Sequence, residues 1–118
     1  MSWRNFGEKT EISRHAQSLQ YALNVLRQPK YKSYIRAIYL YGSCARAQQK
    51  FDSDVDLFLF LDQDTPDQLI REMRSEVIPH YSLPEVEIKC SKGQQFSSSY
   101  HFNRNIERDG KLLWKREQ

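Results

Sequence analysis

The sequence is most informative over residues 35–61, which read IRAIYLYGSCARAQQKFDSDVDLFLFL. Residues 35–41 and 55–61 are short runs of β-branched, aromatic and aliphatic residues, which predict two buried strands. Gly42 follows the first run directly, as expected for a sharp turn. Asp56 interrupts the second run, and a carboxylate in an apolar strand is costly to bury without a partner. We therefore predict two core strands and a cation beside Asp56.

Helical patterns lie on both sides of this stretch. Apolar residues recur at steps of three and four over residues 10–28, which predicts an amphipathic helix that Pro29 ends. A second helix is predicted after residue 64, with Thr65 as its N-cap and Pro66 as its first helical residue. Gln68 would complete a capping box with Thr65.

The last third of the chain contains one more alternating segment. Residues 84–90 alternate between polar and apolar side chains, as a half-buried strand does. We expect a helix over residues 97–108 and a final apolar segment at residues 112–114. The predicted order is α-β-α-β-α-β-α, which indicates an α/β (α+β) fold with a small sheet covered by helices.

Length and composition limit the possible classes of protein. The 118 residues, of which 39% are hydrophobic, suit one domain over residues 1–118, with residues 1–8 expected to be flexible. No uncharged apolar run approaches the roughly 18 residues of a membrane span, and we see no signal peptide. We therefore expect a cytoplasmic protein, in which Cys44 and Cys90 are reduced thiols.

The net charge of +3 is mildly basic. It suits a partner that carries phosphates, such as a nucleotide, and argues against a dedicated nucleic-acid surface.

Two aspartates stand at the head of the second strand. Side chains two residues apart on a strand share a face, so Asp54 and Asp56 lie roughly 6.5–7 Å apart along the chain. Paired carboxylates at an open edge are suitable ligands for Mg²⁺. The alternative is a solvated strand end, but it does not explain a carboxylate at Asp56.

The turn after the first strand has the features of an anion site. Gly42 allows close approach of a phosphate, and Ser43 offers a hydroxyl donor. The residues that follow can open a short helix with free N–H groups, and Arg46 adds a permanent positive charge. Taken alone such a turn is common, but the paired aspartates on the next strand strengthen the interpretation.

Turn and aspartates together resemble the signature of the DNA polymerase beta-like nucleotidyltransferase superfamily, and in particular its minimal nucleotidyltransferase (MNT) branch. That pattern is Gly-Ser-x-Ala-Arg-Gly, five residues, then Ser-Asp-x-Asp-Leu. Eight residues match it in register: Gly42, Ser43, Ala45, Arg46, Ser53, Asp54, Asp56 and Leu57. Ala47 departs from it, since the family usually has glycine there.

The resemblance implies a nucleotidyltransferase-like fold with a mixed sheet, and a site with two Mg²⁺ ions. Asp54 and Asp56 would hold the metals, together with a third carboxylate on a later strand. Glu87 is our choice for that catalytic and metal-binding acid, with Glu85 as the alternative. The nucleoside triphosphate would be bound by the turn and the residue before the aspartate pair, namely Gly42, Ser43, Arg46 and Ser53.

The resemblance also implies the reaction and its partners. Minimal members move AMP from ATP to a hydroxyl, and many pair with a small all-helical HEPN toxin that they can neutralise by adenylylating a tyrosine. A protein acceptor and an antitoxin role follow as expectations. The alternatives are a catalytically inactive nucleotide-binding or antitoxin module, and a small-molecule (aminoglycoside-type) nucleotidyltransferase. A homodimer is the alternative to a complex with a HEPN-type protein.

Arg74 and His80 fit the loose Arg-x(4–6)-His pattern of the HEPN ribonucleases. Those enzymes are all-helical, whereas strands surround this segment. Pro79 also ends the helix just before His80. We therefore do not assign a ribonuclease site to this pair.

Overall fold

The computed structural model describes residues 10–42, 53–79, 82–92 and 110–116, with side chains from residue 14 onward. Three helices lie in this part of the chain: α1 (Thr10–Leu26), α2 (Pro29–Lys32) and α3 (Asp67–Glu76). Four strands accompany them: β1 (Ile35–Tyr41), β2 (Val55–Leu61), β3 (Val86–Lys92) and β4 (Lys111–Lys115). The helix predicted over residues 97–108 lies outside the described residues, as do Ser43, Arg46 and Cys44.

The strands form one sheet in the order β3-β2-β1-β4. β1 is antiparallel to β2 and to β4, whereas β2 and β3 are parallel. The sheet is therefore mixed, and the predicted α/β class with a small mixed sheet flanked by helices is confirmed. In the described sheet β3 and β4 are the two edges.

Helices α1 and α3 cover one face of the sheet. The residues of β2 that point to this face, Val55, Leu57, Leu59 and Leu61, are at most 1% exposed. They form a single core cluster with Leu19 and Leu26 of α1 and with Ile70 and Met73 of α3. Each such buried side chain contributes about 1.5–3 kcal/mol. Because strand side chains alternate, Asp56 lies on the opposite face.

The sequence-based prediction for the start of α3 is wrong in its detail. The N-cap is Pro66, and no side chain caps the helix. Thr65 is buried and its Oγ1 donates to the Asp62 carbonyl at 2.7 Å. The hydroxyl therefore closes the turn that follows β2, and it accepts no hydrogen bond from the first N–H groups of α3.

Two further elements were not assigned from the sequence. Pro29 ends α1 as predicted, but it also begins the short helix α2, where its missing N–H is no disadvantage. The apolar segment around Leu113 forms the edge strand β4 along β1. In the described part of the chain, no helix is both long and apolar enough to span a membrane.

Candidate active site

Four carboxylates lie at one end of the sheet, on the face opposite α1 and α3. In the parallel pair, Asp56 of β2 lies level with Glu87 of β3, and Val55 lies level with Val86. Asp54 and Glu85 directly precede these two strands, and Val55 N donates to the Glu85 carbonyl at 2.8 Å. Since neighbouring strands are about 4.8 Å apart, Asp56 and Glu87 form a row across the sheet. We call Asp56 and Glu87 the carboxylate row.

Gly42 lies beside this row at the end of β1. Its φ is +76°, a backbone conformation that other residues rarely adopt. A Cβ at this position would meet the Asp56 carboxylate, 3.3 Å from its Cγ and closer still to Oδ2. Both the positive φ and the Asp56 side chain therefore require a residue without a Cβ at this position, while the residues that follow Gly42 in the predicted turn lie outside the described part of the chain.

Tyr41 extends the row onto β1. It is the antiparallel register partner of Asp56 and is partly buried. Burial raises the pKa of its phenol well above the usual range, and the negative charges of Asp56 and Glu87 raise it further. The field of the two carboxylates therefore reaches β1. The sequence could not indicate this position of Tyr41, because sequence periodicity does not show which strands are neighbours.

An open cavity adjoins the carboxylates at the outer edge of β3. Its volume is about 450 Å³. Its lining contains acidic, basic and apolar side chains. The acidic ones are Asp54, Glu85 and Glu87, the basic ones are Arg74 and Lys89, and the apolar ones are Val86 and Ile88. Arg74 reaches the cavity from α3, so this helix helps to shape the site as well as the core.

Polar side chains of α1 anchor the segments that lead into β2 and β3. His15 Nε2 lies 2.9 Å from the carbonyl of Ser53, directly before Asp54. Ser18 Oγ donates to the carbonyl of Pro84 at 2.6 Å, directly before Glu85. His15 is 3% exposed and Ser18 is fully buried, so these contacts are shielded from water. The sequence did not indicate this positioning role, because the contacts of His15 and Ser18 span 38 and 66 residues.

The family of the chain follows from a comparison with family models. The model described as "Polymerase beta, Nucleotidyltransferase" matches residues 24–118, which include Gly42 and the four carboxylates but not His15 and Ser18 of α1. The chain belongs to this nucleotidyltransferase family. The resemblance read from the Gly-Ser turn and the aspartate pair is thereby confirmed, and the chain is a transferase.

Solved structures agree with this nucleotidyltransferase fold. A protein of Sulfolobus solfataricus assigned as a nucleotidyltransferase has 21% identity and a TM-score of 0.61, over 93% of this chain and 91% of that one. A toxin-antitoxin structure with AMP-PNP has 22% identity and a TM-score of 0.61, over 84% and 74%. A spectinomycin adenyltransferase from Enterococcus faecialis, solved with ATP and spectinomycin, has 15% identity and a TM-score of 0.63, over 86% and 56%.

At these identities the likeness shows the fold. No curated protein sequence matches the chain.

The structure brings several predicted site residues of this nucleotidyltransferase together. Asp54, Asp56 and Glu87 lie at one end of the β2–β3 pair, with Gly42 beside them and Ser53 directly before Asp54. Ser43 and Arg46 were predicted to bind the phosphates and fall outside the described residues.

The donor chemistry of the site fits a hard divalent cation, because carboxylate oxygens on adjacent strands are the ligands that Mg²⁺ prefers. Among the side chains described, no three of His, Cys, Asp or Glu converge into a closed ligand group. Asp56 and Glu87, which lie level on adjacent strands, would be two ligands of such an ion. The remaining ligands would have to come from side-chain rotation, substrate or water.

A second cavity lies away from the carboxylates. Its volume is about 320 Å³, and it is bounded by the C-terminal part of α1, by β1 and by β4. Its walls combine apolar side chains with Arg27 and Lys32, and Lys32 Nζ lies 5.9 Å from the centroid of the Trp114 ring. Because its described lining contains no carboxylate, it does not form part of the candidate active site.

Proposed function

We propose that this nucleotidyltransferase moves a nucleoside monophosphate, AMP from ATP, to a hydroxyl of a protein partner. We further propose that the partner is a small all-helical HEPN-type toxin, for which the chain serves as antitoxin. The observation that carries the proposal is the carboxylate row, Asp56 level with Glu87, directly beside the Gly42 turn.

Each residue has a distinct role in this reaction. The oxygen of the acceptor hydroxyl forms a bond to the α-phosphorus while the bond to the bridging oxygen breaks, which releases pyrophosphate. Glu87 accepts the hydroxyl proton. Gly42 lets the phosphates approach the backbone, while Ser43, Arg46 and Ser53 hold them in place.

Asp54, Asp56 and Glu87 are the residues that would hold two Mg²⁺ ions. When bound, such ions neutralise charge on the triphosphate and on the attacking and leaving oxygens.

Support for ATP and for a protein partner comes from the comparisons. The similar toxin-antitoxin structure contains AMP-PNP, an analogue of ATP. The mild positive charge of the chain, +3, also suits a triphosphate substrate. A homodimer remains the alternative assembly, and sedimentation with and without the toxin distinguishes the two.

The test is transfer of label from ATP carrying ³²P at the α-phosphate to a purified HEPN-type protein in the presence of Mg²⁺. We expect the Asp54→Asn/Asp56→Asn double variant to lose at least about 100-fold in rate, since it keeps the shape but removes both charges. Asp67→Asn is the matched control, because Asp67 pairs with Lys92 on the surface, outside the cavity lining. Equal labelling by the double variant would contradict the proposal.

A small-molecule acceptor is the second candidate. It is favoured by the likeness to the spectinomycin adenyltransferase, of which this chain covers 56%. The same assay with spectinomycin in place of the protein distinguishes the two acceptors. An inactive binding module would instead show Mg·ATP binding by calorimetry without transfer to either.

A further inference from the structure

We propose that Arg74 binds an anionic group of the acceptor, a carboxylate or a phosphate close to the hydroxyl that is modified. Arg74 would thus determine which acceptors enter the site. This inference rests on the proposed function, because it assumes that the hydroxyl is attacked at the carboxylate row.

The first step in the argument is the position of Arg74 at the outer edge of β3. Val55 N donates to the Glu85 carbonyl at 2.8 Å, so the backbone of Glu85 faces β2. Along a parallel strand, successive backbone carbonyls point alternately to one neighbouring strand and to the other side. Because the Glu85 carbonyl points to β2, the Ile88 carbonyl, three residues later, points away from β2. Arg74 Nε donates to that carbonyl at 3.3 Å. This contact anchors the guanidinium at the edge of the described sheet, in the wall of the cavity that contains Glu87.

The second step is the charge of the neighbouring groups. Other basic side chains pair directly with a carboxylate, as Lys30 does with Glu76, Lys92 with Asp67 and Arg116 with Asp62. Within the described residues Arg74 contacts the Ile88 carbonyl and, at 3.8 Å, the sulfur of Cys90.

Neither of these two contacts of Arg74 brings a negative charge, and the carboxylates that line the same cavity, Asp54, Glu85 and Glu87, are not among its hydrogen-bond partners. Burial raises the pKa of the Cys90 thiol, so this group is neutral near pH 7. A guanidinium has five N–H donors, and in Arg74 the donors not used in these contacts can bind an anion in the cavity.

The third step is the direction of the reaction across the sheet. The order β3-β2-β1 places Gly42 and Arg74 on opposite sides of the carboxylate row. The phosphates are proposed to bind at the Gly42 turn, and pyrophosphate leaves on that side. In an in-line displacement the attacking oxygen approaches from the opposite side of the phosphorus. The acceptor therefore enters on the β3 side, where Arg74 lies.

The test compares two synthetic peptides, Glu-Glu-Tyr-Glu-Glu and Gln-Gln-Tyr-Gln-Gln, each with a fluorescent label. Binding is measured by anisotropy without nucleotide, and transfer is measured with labelled ATP and Mg²⁺. A third peptide with phosphoserine in place of the glutamates distinguishes phosphate from carboxylate recognition by their relative affinities. The variants are Arg74→Gln and Arg74→Lys. Arg71→Gln is the matched control, since Arg71 is exposed on the same helix but does not line the cavity.

We expect Arg74→Gln to weaken binding of the acidic peptides, and to raise their KM, by about tenfold or more, as for loss of a charge-assisted hydrogen bond. The KM for ATP should not change, and neither should the affinity and the KM for the neutral peptide. Arg74→Lys should restore part of the loss, and Arg71→Gln should behave as the unmodified chain.

Several results would overturn the inference: no preference of the unmodified chain for acidic peptides, an equal loss for acidic and neutral peptides in Arg74→Gln, or a rise in the KM for ATP alone. Failure of the proposed function gives a different result. In that case the acidic peptides still bind through Arg74, but no label reaches them or a HEPN-type protein.

Discussion

Gly42 is the residue on which the backbone and the chemistry of the site depend together. Its φ is positive directly after β1, and its missing Cβ leaves the space that the Asp56 carboxylate occupies. A glycine at the end of a strand predicted the turn. The contact with Asp56 could not be predicted, because it depends on the register between β1 and β2.

Replacing Gly42 by alanine should therefore lower both stability and activity. The strained backbone costs about 1–2 kcal/mol, and displacement of Asp56 adds to that loss. Chemical unfolding in a Gly42→Ala/Asp56→Ala cycle separates the two contributions. We expect Gly42→Ala to cost less in the Asp56→Ala background, where the carboxylate is absent. An identical cost in both backgrounds would show that the contact with Asp56 has no energetic effect.

At the level of elements, the predictions succeed where the signal is local. The bounds of β1 and β2 agree with the apolar runs at residues 35–41 and 55–61, because a buried strand shows directly as such a run. β3 begins and ends two residues later than predicted, at Val86–Lys92. The capping box failed because the Thr65 hydroxyl bonds backward to Asp62, a choice that depends on the turn after β2.

A bidentate ion pair joins the ends of three strands. Arg116, directly after β4, contacts both oxygens of Asp62, directly after β2, at 2.7 and 2.9 Å. Arg116 also donates to the carbonyl of Ser33, near the start of β1, at 3.1 Å. Its hydrogen bonds to Asp62 hold the pKa of that carboxyl below the usual range. The pair spans 54 residues, so the sequence alone could not indicate it.

This ion pair should make stability depend on pH in the acidic range. Because the pKa of Asp62 is lower in the folded state, its contribution is complete above the unfolded value of about 3.9 and is lost as pH falls through the folded value. We expect Asp62→Asn to cost about 1 kcal/mol at pH 7, since the pair is partly exposed, and less below pH 3. Thermal unfolding from pH 2 to 7 measures this. A cost of Asp62→Asn that is the same at both ends of this range would contradict the account.

In the whole molecule, the two faces of the sheet have different roles. One face packs against α1 and α3, and the other carries the carboxylate row. The sequence predicted β2 as a buried strand interrupted by Asp56 and did not predict this division. The family resemblance predicted Asp54, Asp56 and Glu87 as a group. The level pairing of Asp56 with Glu87 and the anchoring of both strands by α1 required the tertiary structure. That residues 1–118 form one domain stays a prediction.

The central claim is that the carboxylate row performs nucleotide transfer. It is tested most directly by the rate of AMP transfer in Glu87→Gln and Glu85→Gln, two isosteric changes on one face of one strand. We predict that Glu87→Gln loses at least about 100-fold in rate, because the acid level with Asp56 becomes neutral, while Glu85→Gln stays within a few-fold of the unmodified chain. Full activity in Glu87→Gln, or equal losses in both variants, would contradict the account.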